Sequence, residues 1–106
     1  TDKLRSLTKM KKETLKNLLP LGSVVSLKQG TKKVLIVGRI QEHISSGKLY
    51  DYSAVYYPEG MLDPHELFLF QQEDIDKLYH VGLQDNDEFV FRTFLEEKLK
   101  EKNLLE

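Results

Sequence analysis

The apolar residues of this 106-residue chain change their spacing twice, and that change constrains the fold more than any other feature. Near the start they recur every three or four positions, which predicts an amphipathic helix over residues 2–18. Pro20 ends this helix, because a proline pushes the residue before it out of the helical region. The middle of the chain then has the alternating or continuous apolar runs of strands, and helical spacing returns after Asp85.

Five short strands are predicted in the middle of the chain. The most apolar run, Lys33–Ile40, is rich in β-branched residues and is predicted to be the central strand, with a bulge or sharp bend at Gly38. One helical turn is predicted over Gln72–Asp76. The other four strands are predicted at Ser23–Lys28, Leu49–Tyr57, Glu66–Phe70 and Lys77–Val81.

The second helix is predicted to run from about Asn86 to Lys102. Asp85 followed by Glu88 is a capping pattern, and acidic residues suit the positive end of a helix. Phe91, Phe94, Leu95 and Leu99 form an apolar stripe along this helix.

These elements predict an α+β domain that is mainly β. The favoured architecture is a small five-stranded SH3-like barrel, and the alternative is a curled, open antiparallel sheet; either is flanked by an N-terminal and a C-terminal helix. The length corresponds to a single domain over residues 1–106, with the first helix at 1–18, the β core at 21–82 and the last helix at 85–102.

The composition excludes several classes of function. The chain has no cysteine, which rules out disulfides, thiolate chemistry and cysteine-bearing zinc sites. Its three histidines, at positions 43, 65 and 80, show no ligand spacing, so neither a metal nor another cofactor is expected. No run approaches the roughly 18 apolar residues of a membrane span, and the basic N-terminus is not followed by a signal-peptide core. A cytoplasmic protein without a membrane partner is expected.

No catalytic residues are predicted. The residue types of a hydrolytic triad are present in Ser53, His65 and Asp63. No nucleophile elbow or spaced catalytic pattern supports such a triad. The chain is therefore expected not to be an enzyme.

Charge is distributed unevenly along the chain, although the net charge is only −1. Residues 1–40 carry ten basic groups against two acids, and residues 41–106 carry six against fifteen. The two parts are expected to compensate each other. A basic helix beside Tyr50, Tyr52 and Tyr56 could bind nucleic acid, but Asp51 lies within that row and would repel phosphate, so nucleic acid is not the expected partner.

A protein partner is the expected ligand. The apolar stripe of the first helix is narrow, so that helix must pack on its own domain, on a partner or on a second copy, which leaves a homodimer through this helix open. Tyrosine and arginine are also enriched at binding hot spots. The candidate partner-binding residues are Leu4, Leu7, Leu15, Leu18, Arg39, Tyr50 and Tyr52.

Three separated blocks carry a resemblance to a known family. The stretch Leu19–Arg39 (LPLGSVVSLKQGTKKVLIVGR), together with Tyr50–Tyr52 and Tyr57–Gly60, resembles the family of domains of unknown function numbered 4176. The resemblance covers about residues 18–82 and departs from the family pattern at Gln29 and at His43–Lys48.

That family is encoded in Gram-positive bacteria beside genes of the type VII secretion system and its LXG toxins. The resemblance implies an adaptor or chaperone-like accessory that binds the helical N-terminal region of a cognate secreted toxin or the toxin's small helical companions. An immunity protein that occludes a toxin domain is the alternative, followed by a nucleic-acid-binding regulator.

Overall fold

A computed structural model describes residues 9–106, and five strands lie between a short helix and a long one. The secondary structure is α1 (Lys12–Lys16), β1 (Val24–Leu27), β2 (Lys33–Glu42), β3 (Leu49–Tyr56), β4 (Phe68–Phe70), a 3-10 helix (Gln72–Asp74), β5 (Ile75–His80) and α2 (Asn86–Glu101). All five predicted strands, the helical turn and the second helix are confirmed within a few residues of their predicted boundaries.

The strands form one antiparallel sheet in the order β4-β3-β2-β1-β5. Within residues 9–106 no ladder joins β4 to β5, so the sheet is open. The predicted fold class is confirmed in the form of the open sheet, and the closed barrel is not formed. β4 has only three residues, and the 3-10 helix then leads the chain to the opposite edge, so there is too little strand to close a barrel.

The bulge predicted at Gly38 is also confirmed. The register between β2 and β3 shifts between Ile36 and Gly38. A Cβ atom at position 38 would lie 2.3 Å from the Ser53 hydroxyl oxygen, so a larger residue would require the Ser53 side chain or the strands to shift.

The helix predicted over residues 2–18 is confirmed at Lys12–Lys16 but does not include residues 9–11 or 17–18, and residues 1–8 lie outside the described part of the chain. Met10 is extended because its N–H donates to the Leu104 carbonyl at 2.7 Å and its carbonyl accepts from the Glu106 N–H at 2.9 Å. Lys11 is extended too, and the helix begins only at Lys12. A backbone pairing between the two ends of the domain replaces helix here.

The core lies between one face of the sheet and the two terminal segments. Strand residues contribute most of it, α1 and its flanks contribute three side chains, and α2 contributes one. The buried cluster consists of Met10, Leu15, Leu18, Val25, Val34, Ile36, Tyr52, Ala54, Phe70 and Leu99. No helix within residues 9–106 combines the length and apolarity that a membrane crossing requires.

Candidate functional site

The leucines predicted to bind a partner fall into two groups. Leu15 and Leu18 are buried, with Leu18 only 1% exposed, and both belong to the core cluster. They hold α1 and its flanks, residues 10–18, on the sheet and offer no free surface; we call these residues the α1 segment. Leu4 and Leu7 lie outside the described residues.

Tyr52 is fully buried, and its hydroxyl links three segments of the chain. The hydroxyl oxygen accepts a hydrogen bond from the Leu19 N–H at 2.9 Å and donates to the side-chain oxygen of Gln72. Burial raises the pKa of Tyr52 to about 12, so it remains a neutral donor. Tyr50, its neighbour two positions earlier, is half-buried under the ammonium group of Lys48.

Arg39 is held in an ion network between β2 and α2. Its guanidinium donates to both carboxylate oxygens of Glu88, at 2.8 Å to Oε1. Arg92 donates to Glu88 Oε2 at 3.0 Å and also to the Leu18 carbonyl. The side chains of Arg39 and Glu88 are only 3% and 10% exposed. Both charges are therefore paired inside the domain, and Arg39 positions α2 instead of presenting a charge to solvent.

Glu88 remains ionised within this network. Burial alone raises the pKa of the Glu88 carboxyl, but the hydrogen bonds and charges of Arg39 and Arg92 outweigh burial and lower it. A buried carboxylate with two guanidinium partners fixes the rotation of the helix, since rotating α2 would leave three charges without partners.

That rotation determines which side chains of α2 face solvent. Glu88, Arg92, Leu95 and Leu99 follow a four-three-four spacing, and all of them point towards the domain. Phe91 and Phe94, predicted to join this stripe, are instead 44% and 48% exposed. Of the four residues in the predicted apolar stripe, Leu95 and Leu99 therefore pack against the core and the two phenylalanines do not. The sequence signal for the true face was the Glu88–Arg92 pair, which lies four residues apart in register with the leucines.

The result is an exposed apolar surface along one side of α2, which we call the aromatic strip and define as Val90, Phe91 and Phe94. Val90 is 62% exposed and lies on the same side of the helix as Phe94, which is four residues later in the chain. The rings of Phe91 and Phe94 stack with their centroids 6.0 Å apart. The guanidinium of Arg39 lies 5.6 Å from the Phe91 ring and fixes one end of the strip.

Phe89 lies apart from this strip. It is 54% exposed, but a helix turns 100° per residue, so its side chain points to the opposite flank from Phe91 and Phe94. It therefore provides a matched comparison for the strip.

A second polar cluster lies next to α1. Asp51 accepts a hydrogen bond from the Gln72 N–H at 2.8 Å, and Gln71 bonds the backbone of Leu49 and Asp51. Burial raises the pKa of the Asp51 carboxyl, more than the Gln72 hydrogen bond lowers it. The adjoining cleft of about 300 Å³ is lined by three lysines and three acids. These charges balance, so the cleft does not select a charged ligand.

The histidines are exposed and lie in different parts of the fold. The His43 ring is 2.8 Å from the Ser46 hydroxyl, and the His65 ring is 3.2 Å from the Asp63 carboxylate. Among residues 9–106, no group of three or more metal-ligating side chains comes together.

Comparison with known proteins identifies one family. The model of the domain of unknown function DUF4176 matches residues 18–91, which is more than half of the chain. The match includes the whole sheet and extends into α2 as far as Phe91, so it contains both Arg39 and Glu88. No curated protein and no solved structure matches the chain.

Proposed function

This chain belongs to the DUF4176 family of domains of unknown function, and we propose that it works by binding another protein and not by catalysing a reaction. The observation that supports this most strongly is the aromatic strip. Three neighbouring apolar side chains lie in solvent on a helix whose opposite side is held by an ion network. Exposed apolar side chains that are grouped together on a surface are typical of interaction sites.

The position of the strip on a rigid helix favours binding. The Arg39–Glu88–Arg92 network and the buried Leu99 fix α2 before any partner arrives, so little conformational entropy is lost on association. Phenylalanine rings also bury a large apolar area for two rotatable bonds each. The strip therefore has the properties of an anchor for a complementary apolar surface.

The shape of the strip favours a helical partner. Apolar side chains at positions i, i+1 and i+4 of a straight helix form a narrow ridge, which suits the apolar face of another amphipathic helix. The family resemblance points to a partner of this shape, the helical N-terminal region of an LXG toxin. On this proposal the protein is a cytoplasmic, adaptor-like or chaperone-like accessory of type VII secretion that covers the toxin helices.

Co-expression with each half of a neighbouring LXG toxin, followed by size-exclusion chromatography, tests the proposal. We expect co-elution with the helical N-terminal half only. Phe94→Glu is expected to abolish the complex, because a charge would have to be buried without a partner. Phe89→Glu makes the same change on the opposite flank and is expected to leave the complex intact.

The other outcomes each replace part of the proposal. Co-elution with the catalytic half alone would indicate an immunity protein. Co-elution with neither half would remove the toxin as partner. Equal loss of binding in the Phe94 and Phe89 variants would mean that the strip is not the docking surface.

A further inference from the structure

The aromatic strip lies between two opposite charges on the same side of α2. Asp87 precedes Phe91 by four residues, Phe94 follows three later, and Lys98 follows four after that. This four-three-four spacing keeps all four side chains on one line along the helix. Asp87 is exposed, and the Lys98 side chain is 48% exposed, with its ammonium group 5.5 Å from the Phe94 ring and 3.3 Å from the exposed Glu101 carboxylate.

Such a line is complementary to its own antiparallel copy. When two helices pack antiparallel through this spacing, the second residue of the line on one helix lies opposite the third residue of the line on the other helix. Phe91 then faces Phe94 of the second copy. At both ends, Asp87 faces Lys98 of the second copy. A parallel arrangement would instead place Asp87 against Asp87 and Lys98 against Lys98, which is repulsive.

We propose that a second copy of this chain docks antiparallel on α2, with Phe91 and Phe94 forming the centre and two Asp87–Lys98 pairs closing the ends. The interface is isologous, as expected for a two-fold homodimer. It goes beyond the proposed function and does not depend on the identity of the toxin. The same strip would serve both contacts, so a partner helix and the second copy would compete for it.

The charges allow a test that does not alter the apolar centre. Asp87→Lys leaves lysines at both ends of the strip, and Lys98→Asp leaves aspartates at both ends. Each variant alone then opposes like charges twice in the dimer, and its self-association is expected to be roughly tenfold weaker than that of the wild type. A one-to-one mixture of the two variants restores opposite charges at both ends, and we expect it to form a heterodimer.

Sedimentation equilibrium of the purified full chain measures all three species without any partner. Circular dichroism and thermal unfolding establish that each variant retains the fold, and Phe89→Ala serves as a control on the opposite flank that should self-associate like the wild type. A wild type that stays monomeric at its highest soluble concentration would overturn the proposal. So would single variants that dimerise as well as the wild type, or a mixture that forms no heterodimer. None of these outcomes depends on whether a toxin binds.

Discussion

The α1 segment and α2 have similar apolar spacing in the sequence, but their apolar side chains lie in different environments. The α1 segment places Met10, Leu15 and Leu18 in the core. The longer α2 buries only Leu99, while Phe91 and Phe94 remain in solvent. The segment predicted to bind a partner covers the core, whereas the C-terminal helix presents an apolar surface to solvent.

The difference lies in the polar residues that accompany each stripe. The lysines around α1 have no partner in the core and stay in solvent, so the leucines turn inward. In α2, Glu88 pairs with the buried Arg39 of β2 and with Arg92 of its own helix, and these pairs turn the helix so that the phenylalanines point outward. Apolar spacing predicts a stripe, but paired charges can determine which side of a helix is buried.

The largest expected effect on stability is in the α1 segment, whose leucines lie in the core. Leu18→Ala should lower the free energy of unfolding by about 2–5 kcal/mol, through lost apolar transfer and the cavity that remains. Urea unfolding measures the change. Leu83→Ala, at a position 76% exposed, is the control and should stay within about 0.5 kcal/mol of the wild type. Equal effects at both positions would mean that the α1 segment does not cover the core.

Glu88→Gln tests whether charges determine the rotation of α2. Removing the carboxylate leaves two guanidinium groups close together and should cost about 3 kcal/mol at neutral pH. Because the pKa of Glu88 is lowered on folding, its ionised form stabilises the fold above the ordinary value of 4.5, and this contribution is lost as pH falls through the folded pKa.

The difference in the free energy of unfolding between the wild type and the Glu88 variant should therefore shrink in acid. Unfolding curves at several pH values measure this difference. Glu96→Gln removes an exposed carboxylate from a pair with Lys100 and should change stability by less than about 0.5 kcal/mol. A deficit that does not vary with pH would contradict the ionic explanation.

The effect of Asp51, the carboxylate beside α1, on stability should depend on pH in the opposite way. Burial raises the pKa of Asp51, so its ionised form opposes folding at neutral pH, and this penalty disappears below the ordinary value of 3.8. Asp51→Asn keeps an oxygen for the Gln72 N–H and should raise stability by about 1 kcal/mol or less at neutral pH. Thermal unfolding should show the gain near pH 7 and none near pH 3. A loss at pH 7 would show that the ionised carboxylate is needed.

The smallest effect is expected at the strip itself. Phe94→Ala removes a half-exposed ring and should change the free energy of unfolding of the monomer by about 0.5 kcal/mol or less. Urea unfolding at a concentration where the chain is monomeric measures this. A cost comparable with that of Leu18→Ala would place Phe94 in the core and remove the contrast between the two segments.

The sequence predicted those elements whose signals are local. The β-branched run of β2, the bulge at Gly38 and the capping of α2 by Asp85 are each encoded within a few residues, and the structure confirms them. The environment of Arg39 depends on Glu88, 49 positions away, which no spacing pattern reveals. Nor could the sequence predict that the sheet stays open, because this follows from the three-residue length of β4.

The pairing of Met10 with Leu105 has a consequence for folding kinetics. The β2–β3 hairpin joins residues that are close in sequence, whereas this bridge closes a loop of almost the whole chain. Loop closure of that length loses the most chain entropy, so contacts at the bridge should form late and open early. Under native conditions the amide of Met10, which bonds the Leu104 carbonyl, should exchange with solvent faster than amides in the β2–β3 ladder. Residues 104–106, which follow α2, would then separate from the rest of the domain first.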